Sequence, residues 1–323
     1  MAASSSIFSS EQARRLPWRA VALFIAILVV FDQGVGRLIE PLILGTDSNW
    51  GPNQVARLIQ RREPGIILGN SRAGAISPKI LRARTGVAFF NGTAPGQSIR
   101  YQLIVFEELL RRNPGLNTVI YELDHADLTT TRNSGTPVDV ASFLYGSSDT
   151  AREIFHKVDW WNRVRFLSRT YRVNGAIVPV LLDRFFPRQR YRLTSDDGFM
   201  ALGGSMKGKP CLRGRRVDPP FDKFKLMLLK RLVDRARAHS VSVMFVTAPL
   251  LLACSVDQGP LFARFAKLAH EWGVPYRSFL TATQAPADFH DQNHINRTAA
   301  RRYSKWIADA LAANISRGTG SKK

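Results

Sequence analysis

The sequence predicts an α/β protein with three layers, α/β/α, around a central, mainly parallel five-stranded sheet. Two observations predict it. Short runs rich in β-branched and aromatic residues recur at 65–69 (GIILG), 87–90 (VAFF), 118–123 (TVIYEL), 241–249 (VSVMFVTAP) and 274–279 (VPYRSF), separated by segments with apolar residues at helical spacing. The first run is continuously apolar rather than alternating, which is the pattern of a strand covered on both faces.

The elements follow in order. Arg14, Arg15 and Arg19 precede an uninterrupted apolar block at 20–31 (AVALFIAILVVF), and the chain stays mostly apolar to Leu44. The block is short for a span of about 20 residues and would also suit a signal-peptide core. No small-x-small cleavage site follows Phe31, so residues 1–44 read as a cytoplasmic N-terminus and an uncleaved membrane anchor helix. The basic flank puts the N-terminus inside and the rest of the chain outside an inner (cytoplasmic) membrane, with a periplasmic domain. The plainer alternative is an amphipathic helix of a soluble protein.

Residues 45–62 form a turn-rich linker and a short helix at 55–62. Residues 63–315 form the α/β domain, and 316–323 a flexible tail. Within the domain, Ser77-Pro78 predicts an N-cap and first helical residue for a helix to about Arg84. A helix at 98–112 stops at Asn113-Pro114-Gly115. Further helices are expected at 221–238, 260–272 and 297–313. The rhythm breaks at 125–218, which reads as a large irregular insertion.

Lys plus Arg exceed Asp plus Glu by 46 to 25, a net charge of +21 over 323 residues. Nucleic acid, an anionic membrane surface or an anionic polymer could answer that charge. No zinc-finger spacing, RNP-like strand or basic heptad helix is present, which argues against nucleic acid. The two cysteines, Cys211 and Cys254, are too far apart in sequence for a metal or redox motif. An extracytoplasmic location would permit them to pair.

Ligand sites in parallel sheets lie beyond the carboxyl ends of the strands. Those loops read GNSR, NGTAPGQS, DHAD, TAPLL and DFHDQNHIN. A nucleophilic hydroxyl needs a base, and the base needs an orienting carboxylate. Ser71, His294 and Asp291 supply the three groups from opposite ends of the chain. Backbone N–H groups of Ser71 and Gly92 are candidate oxyanion donors, with Asn91 as a further one. Alone, Ser71 reads better as a helix cap, and Gly92 could serve only an Asn-Gly turn. His290 and His294 have the i, i+4 spacing of metal ligands, but no third strong ligand accompanies them, so no metal and no cofactor are expected.

With those blocks in place the chain resembles the SGNH (GDSL-type) hydrolase superfamily, whose sheet is flavodoxin-like. Gly69-Asn70-Ser71 matches the first block, Gly92 the second, and Asp291-Gln292-Asn293-His294 the last. The Ser71-Arg72 pair and the His294-Ile295-Asn296 ending look similar to a membrane-anchored branch that includes DltD-like and alginate O-acetylation (AlgJ/AlgX-like) proteins. The resemblance implies a serine esterase or O-acyltransferase acting on an envelope polysaccharide or related glycan. Its partners would be an acylated glycan or glycan acceptor, a membrane acyl-donor protein and an anionic membrane surface. A non-catalytic scaffold in envelope polymer assembly is the alternative. The family's third block is Gly-x-Asn-Asp, whereas this chain has Glu122-Leu123-Asp124-His125. A carboxylate there opposes an oxyanion unless it points away. Arg72, Asp124 and His125 are candidate substrate contacts.

Residues 157–216 carry fourteen Lys or Arg against four Asp and no Glu, with Trp160, Trp161, Phe166, Tyr171, Phe185, Phe186, Tyr191 and Phe199 interleaved. Two functional expectations follow: a lid that recruits an anionic polymer, or a face lying on lipid headgroups. A merely solvated arginine-rich insertion is the third.

Overall fold

The computed structural model describes residues 18–45, 52–130, 138–185, 195, 197–200, 202–211, 218–255 and 257–320. Arg14, Arg15, Phe186 and Tyr191 lie outside the described residues, as do most of the linker and residues 321–323. The chain opens with helix α1 (Trp18–Leu44) and α2 (Pro52–Ile59). There follow β1 (Gly65–Gly69), α3 (Pro78–Thr85), β2 (Phe89–Asn91), α4 (Ile99–Arg112) and β3 (Thr118–Glu122). The inserted region carries α5 (His125–Leu128), a 3-10 segment (Val138–Gly146), α6 (Asp149–Val158), α7 (Asn162–Arg165) and α8 (Arg169–Phe185). The repeat resumes with α9 (Lys223–Ala238), β4 (Ser242–Thr247), α10 (Gly259–Glu271), β5 (Tyr276–Ser278) and α11 (Arg297–Gly320).

The five strands form one sheet in the order β2-β1-β3-β4-β5, with every pairing parallel. Alternate residues of each strand serve opposite faces, as strand geometry requires. Ile66, Leu68, Val119, Tyr121 and Phe245 pack toward α2, α4, α9 and α10. Ile67, Ile120, Met244 and Val246 pack toward α3 and α11, against Leu81, Tyr303 and Ile307. Burial on both faces explains the apolar run of β1 and the apolar centre of β3, Val119 to Tyr121.

Local signals set the boundaries. Ser77 caps α3, its hydroxyl accepting from the Ile80 N–H, and Pro78 fills the first helical position. Asn113 ends α4, and its side chain donates to the Glu63 carbonyl at 2.8 Å, tying the helix end to the entrance of β1. The last helix runs past residue 313 to Gly320, so helical backbone covers 316–320 where a tail was expected.

The insertion is more ordered than its sequence suggests. Its described part as far as Phe185 is largely helical, because Ile154, Phe155, Val173, Ala176 and Val180 recur at helical spacing and enter the main core. Its two ends meet at one point, where Thr129 and Phe221 form an isolated bridge. The buried Lys225 ammonium clamps that point by donating to the carbonyls of Ala126 and Thr129, both at 2.7 Å. Helix α1 is long and apolar enough to cross a membrane. Its first half is exposed, whereas its second half packs on α8.

Candidate active site

The loop after β1 is built around Gly69, which has φ +143°, and a Cβ there would meet Ala73 Cβ and the Glu122 carbonyl at 2.8 Å. Only glycine suits that corner. The chain then tightens into a 3-10 turn, with Ala73 and Gly74 N–H groups donating to the carbonyls of Asn70 and Ser71. Ser71 is not the helix cap that its sequence context also allowed; that role falls to Ser77. The Ser71 hydroxyl instead lies 2.8 Å from His294 Nε2.

His294 is held by the loop before α11. Phe289 and Ile295 bridge across the base of this loop, and the His290 N–H donates to the His294 carbonyl at 2.8 Å. Asp291 Oδ1 accepts from the backbone N–H groups of Asn293 and His294 and lies 2.9 Å from His294 Nδ1. Partial burial raises the Asp291 carboxyl, but donation from His294 and the Asn293 backbone outweighs it and holds the group at about 2. A carboxylate on Nδ1 favours the tautomer with the proton there, leaving Nε2 free to accept from Ser71. The structure therefore brings Ser71, His294 and Asp291 into one hydrogen-bonded chain.

The other expected site residues fare differently. The Gly92 N–H donates to the Ile67 carbonyl at 2.8 Å, and Leu58 fills the space where a Cβ would sit. Asn91 is buried, its amide donating to the carbonyls of Ala73 and Ile76, both at 2.8 Å. Neither group is free to face an oxyanion, which corrects both assignments. They brace the turn that carries Ser71. The Ser71 N–H donates to no acceptor among the described residues, so this part of the expected oxyanion hole remains open.

Arg72, Asp124 and Glu122 form a buried cluster beneath the turn. Arg72 Nη2 lies 3.1 Å from Glu122 Oε1 and 3.1 Å from Asp124 Oδ2, and donates to the Leu123 carbonyl at 2.9 Å. Asp124 points at Arg72 and caps α5, where the Ala126 N–H donates to its Oδ1. Burial opposes its charge, yet Arg72 and His125 hold the carboxyl well below the usual range. Glu122 goes the other way: burial, aided by the Asp124 charge, outweighs Arg72 and pushes it up to about 8. Asp124 is thus a structural partner of Arg72 rather than the substrate contact expected, whereas Arg72 braces the turn and also lines the cleft beside Ser71. His125 is half-buried beside Asp124 and is not part of the cleft wall.

A narrow cleft opens at Ser71 and His294, walled by Met200, Leu202, Ala248, Pro249 and Asn293. Its volume is ≈ 10 Å³, room for about one water. A larger cavity of ≈ 580 Å³ lies at the other end of the sheet, against Ser242, Val274 and Leu311, far from these groups. Position favours the small cleft, since parallel sheets bind ligands at their carboxyl ends.

Met200 and Leu202 come from the end of the insertion and carried no sequence signal. That segment is strapped over the site. The Met200 N–H donates to the Gly74 carbonyl at 2.9 Å, and the Arg297 N–H to the Leu202 carbonyl at 2.7 Å. His290 Nδ1 meets the Gly203 carbonyl. Cys211 and Cys254 are disulfide-bonded, joining this strap to the loop after β4. The Leu251 N–H in that loop donates to the Gln292 carbonyl, within the Asp291–His294 turn.

No protein-family model matches the chain, and no curated protein matches it. Among solved structures the chain is similar to a crystal structure from Bacteroides fragilis NCTC 9343 described as a "putative acylhydrolase". The identity is 11%, the TM-score 0.39, and the match covers 82% of this chain and 94% of that one.

Proposed function

We propose that this chain is a membrane-anchored, extracytoplasmic serine acyl esterase or O-acyltransferase acting on an envelope polysaccharide or related glycan. The observation that carries the reading is the Ser71–His294–Asp291 chain at 2.8 and 2.9 Å. Ser71 Oγ attacks an acyl carbonyl while its proton passes to His294 Nε2. The tetrahedral intermediate collapses, the leaving oxygen takes that proton, and an acyl-Ser71 ester remains. His294 then deprotonates a second nucleophile, which releases the acyl group and restores Ser71. With water the reaction is hydrolysis; with a sugar hydroxyl it is transfer.

The oxyanion is stabilised by the open Ser71 N–H and by the Asn293 side-chain amide on the cleft wall. The narrow cleft suits a small acyl group such as acetyl, whose donor would be a membrane acyl-donor protein or an acylated glycan. The disulfide supports an oxidising compartment, consistent with an outward-facing domain. A non-catalytic scaffold is the second reading, favoured by the engagement of Gly92 and Asn91 away from the cleft.

The test is hydrolysis of an activated acetyl ester by the detergent-solubilised full chain, with and without an oligosaccharide acceptor. Turnover lost in Ser71→Ala supports catalysis, and acetylated oligosaccharide marks a transferase. Equal rates for wild type and Ser71→Ala contradict it.

A further inference from the structure

The apolar block of α1 is too short for its expected task. Only twelve residues separate Arg19 from Asp32. At 1.5 Å per residue they span about 18 Å, whereas the hydrocarbon layer is about 30 Å thick. About two further turns of α1, beyond Asp32, are needed to complete the crossing.

Those turns are not free. The Gln33 side chain donates to the Leu167 carbonyl at 3.0 Å. The Asp32 carboxylate caps α8, accepting from the Ser168 hydroxyl at 2.5 Å and from the Arg169 and Thr170 N–H groups at 2.9 and 3.2 Å. Gly36 lies against the Arg169 backbone, and Arg169 pairs with Glu40 at 3.3 Å. Whatever depth Asp32 to Glu40 take, the corner between α7 and α8 takes as well. Satisfying Asp32 in this way removes the main penalty for carrying a carboxylate to that depth.

The same corner presents a surface suited to lipid. Trp160, Trp161, Val164 and Leu167 are exposed by 60, 49, 53 and 68%. The two indoles stack on each other at 4.1 Å rather than packing into the core. Phe31 and Leu38, exposed by 67 and 72%, lie by helical spacing on the side of α1 turned away from α8, where lipid would surround the helix. Exposed Arg163 and Arg165 flank Val164 in the chain, where anionic headgroups would meet them. Tryptophan is the residue enriched at that boundary.

We propose that the α7–α8 corner is a membrane wedge. Its Trp160, Trp161, Val164 and Leu167 side chains enter the outer leaflet beside α1, seating the domain directly on the bilayer. The wedge rests on the anchor reading above, and sharpens the expected headgroup contact into insertion at one corner.

Because both native cysteines are paired, an introduced cysteine can be spin-labelled selectively. The full chain is placed in phosphatidylethanolamine–phosphatidylglycerol vesicles, with single labels at Val164→Cys, Leu167→Cys, Ile27→Cys and Asp234→Cys. Collisions with oxygen and with a water-soluble nickel chelate are compared. The wedge predicts loss of nickel collisions and gain of oxygen collisions at 164, 167 and 27, with the reverse at 234. If 27 is in lipid but 164 and 167 behave as 234 does, the wedge is overturned and the anchor stands. Local bilayer thinning around α1 would give that result. If 27 is also water-exposed, both fall.

Discussion

At the scale of single residues, the site divides into groups that face the cleft and groups that hold them there. Asp291 orients His294, so Asp291→Asn should leave the fold intact and lower acyl transfer on the order of 10³–10⁴-fold, read from initial rates. Asn293→Ala should lower it roughly 10²-fold or more if its amide meets the oxyanion. Arg72 is different. Removing it leaves Asp124 charged and buried without its arginine partner, so Arg72→Ala should destabilise by about 3–5 kcal/mol in denaturant titrations. Glu122 gives a pH signature. Its folded value of about 8 lies above the ordinary 4.5, so the folded state holds a proton that the unfolded chain releases. Stability should therefore fall as pH rises between those values, and Glu122→Gln should flatten that fall. Asp124 acts oppositely: its depressed carboxyl gives stability that is present above pH 3.8 and lost in acid.

At the scale of elements, legibility followed locality. The β1 run needed only its own apolar sequence to be recognised, and Ser77-Pro78 and Asn113-Pro114-Gly115 marked real helix ends. Strand edges drifted where flanking residues were apolar without belonging to the strand, as at Val87 before β2. The insertion looked irregular because its longest helix, α8, buries a face against α1, a partner remote in sequence. Gly92 and Asn91 misled for the same reason. Their motif positions suggested an oxyanion hole, but the Ile67 carbonyl, the Leu58 side chain and the Ala73–Ile76 turn claim them. Gly69 carries its own forecast: Gly69→Ala must accept a positive φ and a 2.8 Å contact, so it should lose about 1–3 kcal/mol and displace Ser71.

At the scale of the whole molecule, the insertion links two ends of the protein. Its α8 packs on α1, and its far end straps over the cleft through Met200 and Leu202. The disulfide closes a separation of 43 residues. Replacing both cysteines by serine should lower stability by about 2–4 kcal/mol. It should also loosen the Asp291–His294 turn, seen as faster amide exchange there. On the proposed function, this arrangement would hold a cleft sized for a small acyl group at a fixed distance from the bilayer.

The central claim is that Ser71 becomes acylated. The most direct measurement is to quench the full chain during reaction with an activated acetyl ester and locate the adduct by peptide mass spectrometry. The account predicts one acetyl group on Ser71, absent in Ser71→Ala and strongly reduced in His294→Ala. Acetylation confined to lysines, or unchanged in both variants, would contradict it.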